Sequence, residues 1–168
     1  RIACISDTHC QLEYIPIPEA DILIHAGDAT DLGKLQELIQ FNAALGKVKA
    51  RFKHILFVPG NHDLLFETDP NFARQIVSNA TILIDQPITI ENRLFYGSPW
   101  TPEFRHWAFG GNKNKLEEMF SHIPEETDIL ITHGPPAVSA STYEHDRQQN
   151  EFLGWKILPA RLDATQAA

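Results

Sequence analysis

The chain has 168 residues, 43% of them hydrophobic and 21% charged, which suits one globular domain with its own core and excludes a disordered chain. Lys plus Arg is 14 against 22 Asp plus Glu, a formal net charge of −8, which disfavours a broad nucleic-acid or membrane-binding face but leaves room for a local positive site around a metal. The 2 cysteines, Cys4 and Cys10, form no CxxC pair, so a zinc ribbon or disulfide scaffold is excluded.

The predicted elements alternate. Ile2–Ile5 reads as a strand leading into Ser6-Asp7-Thr8-His9, with Cys4 expected in the core. Residues 22–26 form a second apolar run and lead into Gly27-Asp28. Leu35, Leu38 and Ile39 share a helical face, with Thr30 or Asp31 as the expected N-cap. Residues 55–58 lead into Pro59-Gly60-Asn61-His62-Asp63, and Asp69-Pro70 opens a helix running through Ile76 and Val77. Residues 81–84, 88–90 and 93–96 read as strands, the last two joined at Glu91-Asn92. Leu116, Met119, Phe120 and Ile123 follow i, i+3, i+4, i+7 spacing and Pro124 stops that helix. Ile129–Thr132 leads into His133-Gly134-Pro135-Pro136. The fold class expected is α/β, with helices covering a largely buried sheet. Residues 1–136 form its core, and 137–168 are a divergent or truncated tail of the same domain. No stretch approaches the ~20 apolar residues of a membrane span. The chain opens on Arg1 and a strand, so a trimmed terminus, no signal peptide and a reduced cytoplasmic setting are expected.

Four strand-like runs each end in groups able to ligate metal: Asp7 with His9, then Asp28, then Asn61, then His133. The carboxyl ends of strands in an open α/β sheet share one crevice, so these distant residues are expected to meet. Imidazole nitrogen with carboxylate and amide oxygen, without thiolate, suits Mn, Fe, Zn or Mg and does not choose among them. Any one of these residues alone is a common surface or turn residue; the ordered set of four is what points to a metal site.

Asp7-Thr8-His9, Gly27-Asp28, Gly60-Asn61-His62-Asp63 and Thr132-His133-Gly134 resemble the calcineurin-like metallophosphoesterase superfamily. Phe41-Asn42, the run Tyr96-Gly97-Ser98-Pro99-Trp100-Thr101-Pro102, and Pro135-Pro136 resemble its MPPED-type branch, which hydrolyses phosphodiesters such as cyclic nucleotides. The resemblance spans about residues 1–136 and implies two facing sheets flanked by helices, and a two-metal centre carrying a bridging hydroxide. Asp7 and His9 would bind one ion, Asp28 both, Asn61 and His133 the other. His62 would be the catalytic imidazole, oriented by Asp63, and a small phosphorylated compound the substrate. Trp100 and His106 are candidates for the substrate rim. The family's later Gly-His-x-His motif has no counterpart after Gly134. A sheet lacking its C-terminal edge, weakened metal binding and self-association at that edge are therefore expected, with His145 a candidate replacement ligand. The alternative function is a non-catalytic binding module on the same fold.

Overall fold

A computed structural model describes residues 1–135. Strands β1 (Ile2–Ile5), β2 (Ile22–His25), β3 (His54–Phe57) and β4 (Thr81–Ile82) pair in that order, all parallel. A second sheet has the order β5 (Gln86–Ile90), β6 (Arg93–Ser98), β9 (Ile129–Thr132), antiparallel then parallel. Two short parallel strands, β7 (Thr101–Pro102) and β8 (Gly110–Gly111), close a loop beside it.

Alternation along the strands sorts the core into layers. Ile22, Ile24, Leu56 and Val58 of the first sheet pack on Ile90, Phe95 and Ile131 of the second. Leu23, Ile55 and Phe57 point the other way and meet Leu38, Phe41 and Leu45 of α1 (Leu35–Val48) and Ala73 of α3 (Pro70–Ile76), with Phe66 of the short α2 (Leu65–Thr68). On the far side of the second sheet, Tyr96 packs with Leu116 and Phe120 of α4 (Lys113–Ser121). Each such buried side chain contributes about 1.5–3 kcal/mol. The result is a sandwich of two sheets flanked by helices, as the sequence motifs imply.

Local chemistry sets the helix ends. Asp69 accepts the Phe72 amide at 3.1 Å and Pro70 takes the first helical position, as expected. Asn112 caps α4 by accepting the Lys115 amide at 3.1 Å, so that helix starts earlier than its apolar spacing suggests. Neither Thr30 nor Asp31 caps α1, which begins after Lys34. The Thr30 hydroxyl is instead bound to Asp63 at 2.7 Å, and the Glu37 carboxylate takes the Leu32 and Lys34 amides. Cys4, expected in the core, is exposed, because β1 alternates and turns Ala3 inward. Among the described residues no helix is long and apolar enough to cross a membrane.

The site follows from strand direction. Because β1, β2 and β3 run parallel, the loops holding Asp7, Asp28 and Asn61 leave the sheet at one edge. Strand β9 delivers His133 to the same place, where its Nδ1 lies 2.9 Å from the Ala26 carbonyl.

Candidate metal centre

The first two ligand-bearing loops are laced together through their backbones. The amides of Asp7, His9 and Cys10 donate to the carbonyls of Gly27, Asp28 and Ala29 at 2.9, 3.0 and 2.9 Å. To do so Asp7, His9 and Asp28 take positive φ of 54°, 40° and 54°, a left-handed conformation costing about 1–3 kcal/mol per residue and characteristic of functional loops. Close approach demands glycine on the opposite side. A Cβ on Gly60 would overlap the Asp28 carboxylate, and one on Gly27 would overlap the His133 ring.

Asp28 is the hub, at 4% exposure. Its Oδ1 accepts the His62 amide at 2.9 Å and lies 3.4 Å from His133 Nε2. Its Oδ2 lies 3.8 Å from His9 Nε2 and 4.0 Å from His62 Nε2. All three rings are tied at the opposite nitrogen to an oxygen that only accepts: His133 Nδ1 to the Ala26 carbonyl at 2.9 Å, His62 Nδ1 to the Asp31 carbonyl at 2.6 Å, and His9 Nδ1 to the Asp31 carboxylate at 3.2 Å. Each neutral ring therefore carries its hydrogen on Nδ1 and turns a bare Nε2 lone pair toward Asp28. His133 Nε2 also meets Asn61 Oδ1 at 2.9 Å. Lone pairs thus face lone pairs, and among the described residues Asp28 has imidazoles but no lysine or arginine as ionic neighbours. Asp7, Asp28 and His133 each place a ligand atom so that all lie within 4.8 Å of one another. Hard oxygen and imidazole donors converging without a proton between them are what a divalent cation requires, so these residues fit the implied metal.

Asp63 behaves differently from expectation. It does not reach the His62 ring. Its carboxylate is fully buried and accepts the amides of Gly60, Ala29 and Thr30 at 2.8, 3.3 and 3.0 Å and the Thr30 hydroxyl at 2.7 Å. Burial pushes its carboxyl above the ordinary value, while the hydrogen bonds from Gly60, Thr30 and Ala29 pull it back. Asp63 ties two loops together, and Asp31 is the residue that positions His62. Sequence reading placed Asp31 only as a helix cap, since a backbone carbonyl acceptor has no residue-type signature.

The centre opens into a cleft of about 350 Å³. Asp7, Asp28, Asn61, His62 and His133 line it, together with Pro102, Phe104, Trp107 and Pro135. The Trp107 ring stacks on His62 with centroids 3.9 Å apart and planes at 29°. The two rim residues expected from sequence do not line it. Trp100 is turned away: its indole N–H donates to Asp85 at 2.6 Å and its ring packs edge-on against Phe109 at 5.9 Å. His106 is exposed outside the cleft. The connection between β7 and β8 is bonded to the site through the Ala108 amide and the Asn61 carbonyl at 3.0 Å, which brings Trp107 to the site, whereas Trp100 precedes β7. His25, expected inside a strand end, is fully buried, bonded to Thr8 Oγ1 at 2.9 Å, and burial followed by the nearby His133 pulls its pKa down to about 3. His145 lies outside the described residues.

Comparison with known proteins places this geometry. The chain is 38% identical over 151 residues to a UPF0046 protein of Caenorhabditis elegans, covering 81% of this chain and 51% of that protein. It is 36% identical over 160 residues to human metallophosphoesterase domain-containing protein 1, covering 81% of this chain and 48% of that one. The chain thus spans about half the length of these curated relatives. One solved crystal structure superposes with a TM-score of 0.62 over 98% of this chain and 80% of its own, at 12% identity, a likeness of fold alone. A family model described as calcineurin-like phosphoesterase matches residues 1–163. With strand-end ligands gathered at the edge of a two-sheet sandwich, and with that match along nearly its whole length, the chain belongs to the calcineurin-like phosphoesterase family, whose members are metal-dependent phosphoesterases.

Proposed function

We propose that this chain hydrolyses phosphodiesters, cyclic nucleotides or similar compounds, at a centre of two divalent metal ions. The observation that carries the reading is the set of three imidazoles, each anchored at Nδ1, turning Nε2 toward the single carboxylate of Asp28. Asp7 and His9 would hold one ion, Asn61 and His133 the other, with Asp28 shared. When bound, such ions neutralise charge on the phosphoryl oxygens and make water acidic enough to attack near neutral pH.

The protein's own groups do the rest. Asp31 holds the Nδ1 hydrogen of His62 through its carbonyl, so Nε2 is the atom that takes a proton from solvent, making the ring imidazolium, and then gives it to the leaving oxygen. Trp107 lies flat on the ring and restricts its rotation. The buried Asp63 network keeps the His62 loop fixed against the Asp28 loop, so the ring needs little reorganisation during reaction. A small ester enters the cleft beside His62, with its phosphoryl group toward the polar lining residues and its organic part toward Pro102, Phe104 and Pro135.

Among the described residues each ion would find three protein ligands, and open positions would fall to water. Metal binding is accordingly weak and activity depends on added metal. The test is turnover of bis-p-nitrophenyl phosphate with and without added Mn²⁺, beside metal content after dialysis. Turnover that rises with Mn²⁺ and falls in His62→Ala supports the reading. Stoichiometric metal with no hydrolysis of diester or monoester would overturn it in favour of a binding module.

A further inference from the structure

Of the large apolar side chains left exposed among the described residues, only Phe104 lines the cleft, and its ring is 52% exposed. Exposing an aromatic ring forfeits the stabilisation that its burial would bring, so its placement calls for a reason. The backbone holds it there. On one side the β7–β8 ladder bonds the Thr101 amide to the Phe109 carbonyl at 2.9 Å and the Glu103 amide to the Gly111 carbonyl at 3.0 Å. On the other, the Ala108 amide donates to the Asn61 carbonyl at 3.0 Å and the Phe109 amide to the Glu67 carboxylate at 2.9 Å. Arg105 and Phe109 adopt positive φ of 56° and 55°, conformations that side-chain-bearing residues take only when the surroundings impose them. The segment between β7 and β8 is thus built against the Asn61–His62 loop itself.

The two aromatic rings of this segment are differently engaged. Trp107 gives a face to His62. Phe104 stands nearer solvent, with the Arg105 guanidinium 5.0 Å from its centroid. That places one positive charge beside an apolar platform on a protein of net charge −8. A planar organic group attached to an anionic phosphoryl group matches this order: phosphoryl toward the metal-ligand cluster, plane against Phe104.

Resting on the phosphoesterase reading above, we propose that Phe104 is a specificity-determining stacking platform that selects phosphoesters bearing a planar aromatic arm, aryl or nucleobase, over aliphatic ones. Base–aromatic stacking supports a preference of about tenfold or more.

The test uses the Mn²⁺-supplemented 168-residue chain and titration calorimetry, with inorganic phosphate, methyl phosphate, cyclohexyl phosphate and phenyl phosphate as probes. Phenyl phosphate is expected to bind about tenfold more tightly than methyl phosphate and more tightly than cyclohexyl phosphate. Phe104→Ala should bring the phenyl-to-methyl ratio close to one, and Phe104→Tyr should restore it, which a merely structural role for this half-exposed ring would not do. Equal binding of phenyl and methyl phosphate, or of phenyl and cyclohexyl phosphate, overturns the platform while leaving the phosphoesterase reading in place. Failure of inorganic phosphate and every ester to bind overturns that reading and the platform with it.

Discussion

Asp28 and Asp63 are buried carboxylates on adjoining loops, and their surroundings differ in kind. Asp63 accepts four hydrogen bonds from three backbone amides and one hydroxyl, so its negative charge is matched entirely by the fold. Asp28 accepts one amide and otherwise faces ring nitrogens whose hydrogens are committed elsewhere. One polar cluster is complete in itself; the other is completed only by a cation. A buried carboxylate is therefore read through the protons its neighbours can offer, and depth of burial alone does not separate structural from functional acids.

Four substitutions or conditions break or sharpen that contrast. The largest effect belongs to Asp28→Asn. It is expected to abolish Mn²⁺ uptake and Mn²⁺-dependent turnover while leaving the metal-free chain about as stable as before. In the parent chain, metal at 100 times its Kd should add about 2.7 kcal/mol to stability; the variant should show no such rise in thermal unfolding. His62→Ala comes next, lowering turnover by roughly 10²–10⁴ with metal content retained, because Nε2 is lost but the ligands are not. Equal turnover in parent and variant would remove His62 from the reaction.

Asp63→Ala should act on stability rather than chemistry. Leaving the Gly60, Ala29 and Thr30 donors unmatched is expected to cost about 3–5 kcal/mol, read from the urea midpoint. A smaller effect comes from His25. Its folded pKa of about 3 lies below the ordinary value of 6.5 because burial disfavours the charged ring. As pH falls below 6.5 the unfolded chain takes up the proton first, so the stability present above that value is lost, by up to about 1.4 kcal/mol per pH unit, until the folded value is reached. His25→Phe should flatten that slope in denaturant titrations followed between neutral and acidic pH.

The strand-end residues were legible because each apolar run was short, bounded by glycine or proline, and followed by a ligand type. The parallel sheet brings Asp7, His9, Asp28 and Asn61 to one edge for the reason the sequence suggested, and His133 joins them from β9 of the second sheet. What escaped was anything carried by backbone atoms. Asp31 positions His62 through a carbonyl that every residue possesses. Trp107 reaches His62 because its loop is bonded to Asn61 through the Ala108 amide, while Trp100 is held by Asp85. Cys4 looks like a core residue within an apolar run, but β1 buries only the face that carries Ala3.

The contact between His133 and the Ala26 carbonyl spans 107 residues, and that between His133 and Asn61 spans 72. During synthesis at about 5–20 residues per second, Asp7, His9, Asp28 and Asn61 leave the ribosome several seconds before their last partner. A nascent chain therefore has only part of the ligand set through that interval, and the set is complete only when β9 docks beside β6. A metal that needs His133 would consequently be captured after the second sheet is in place.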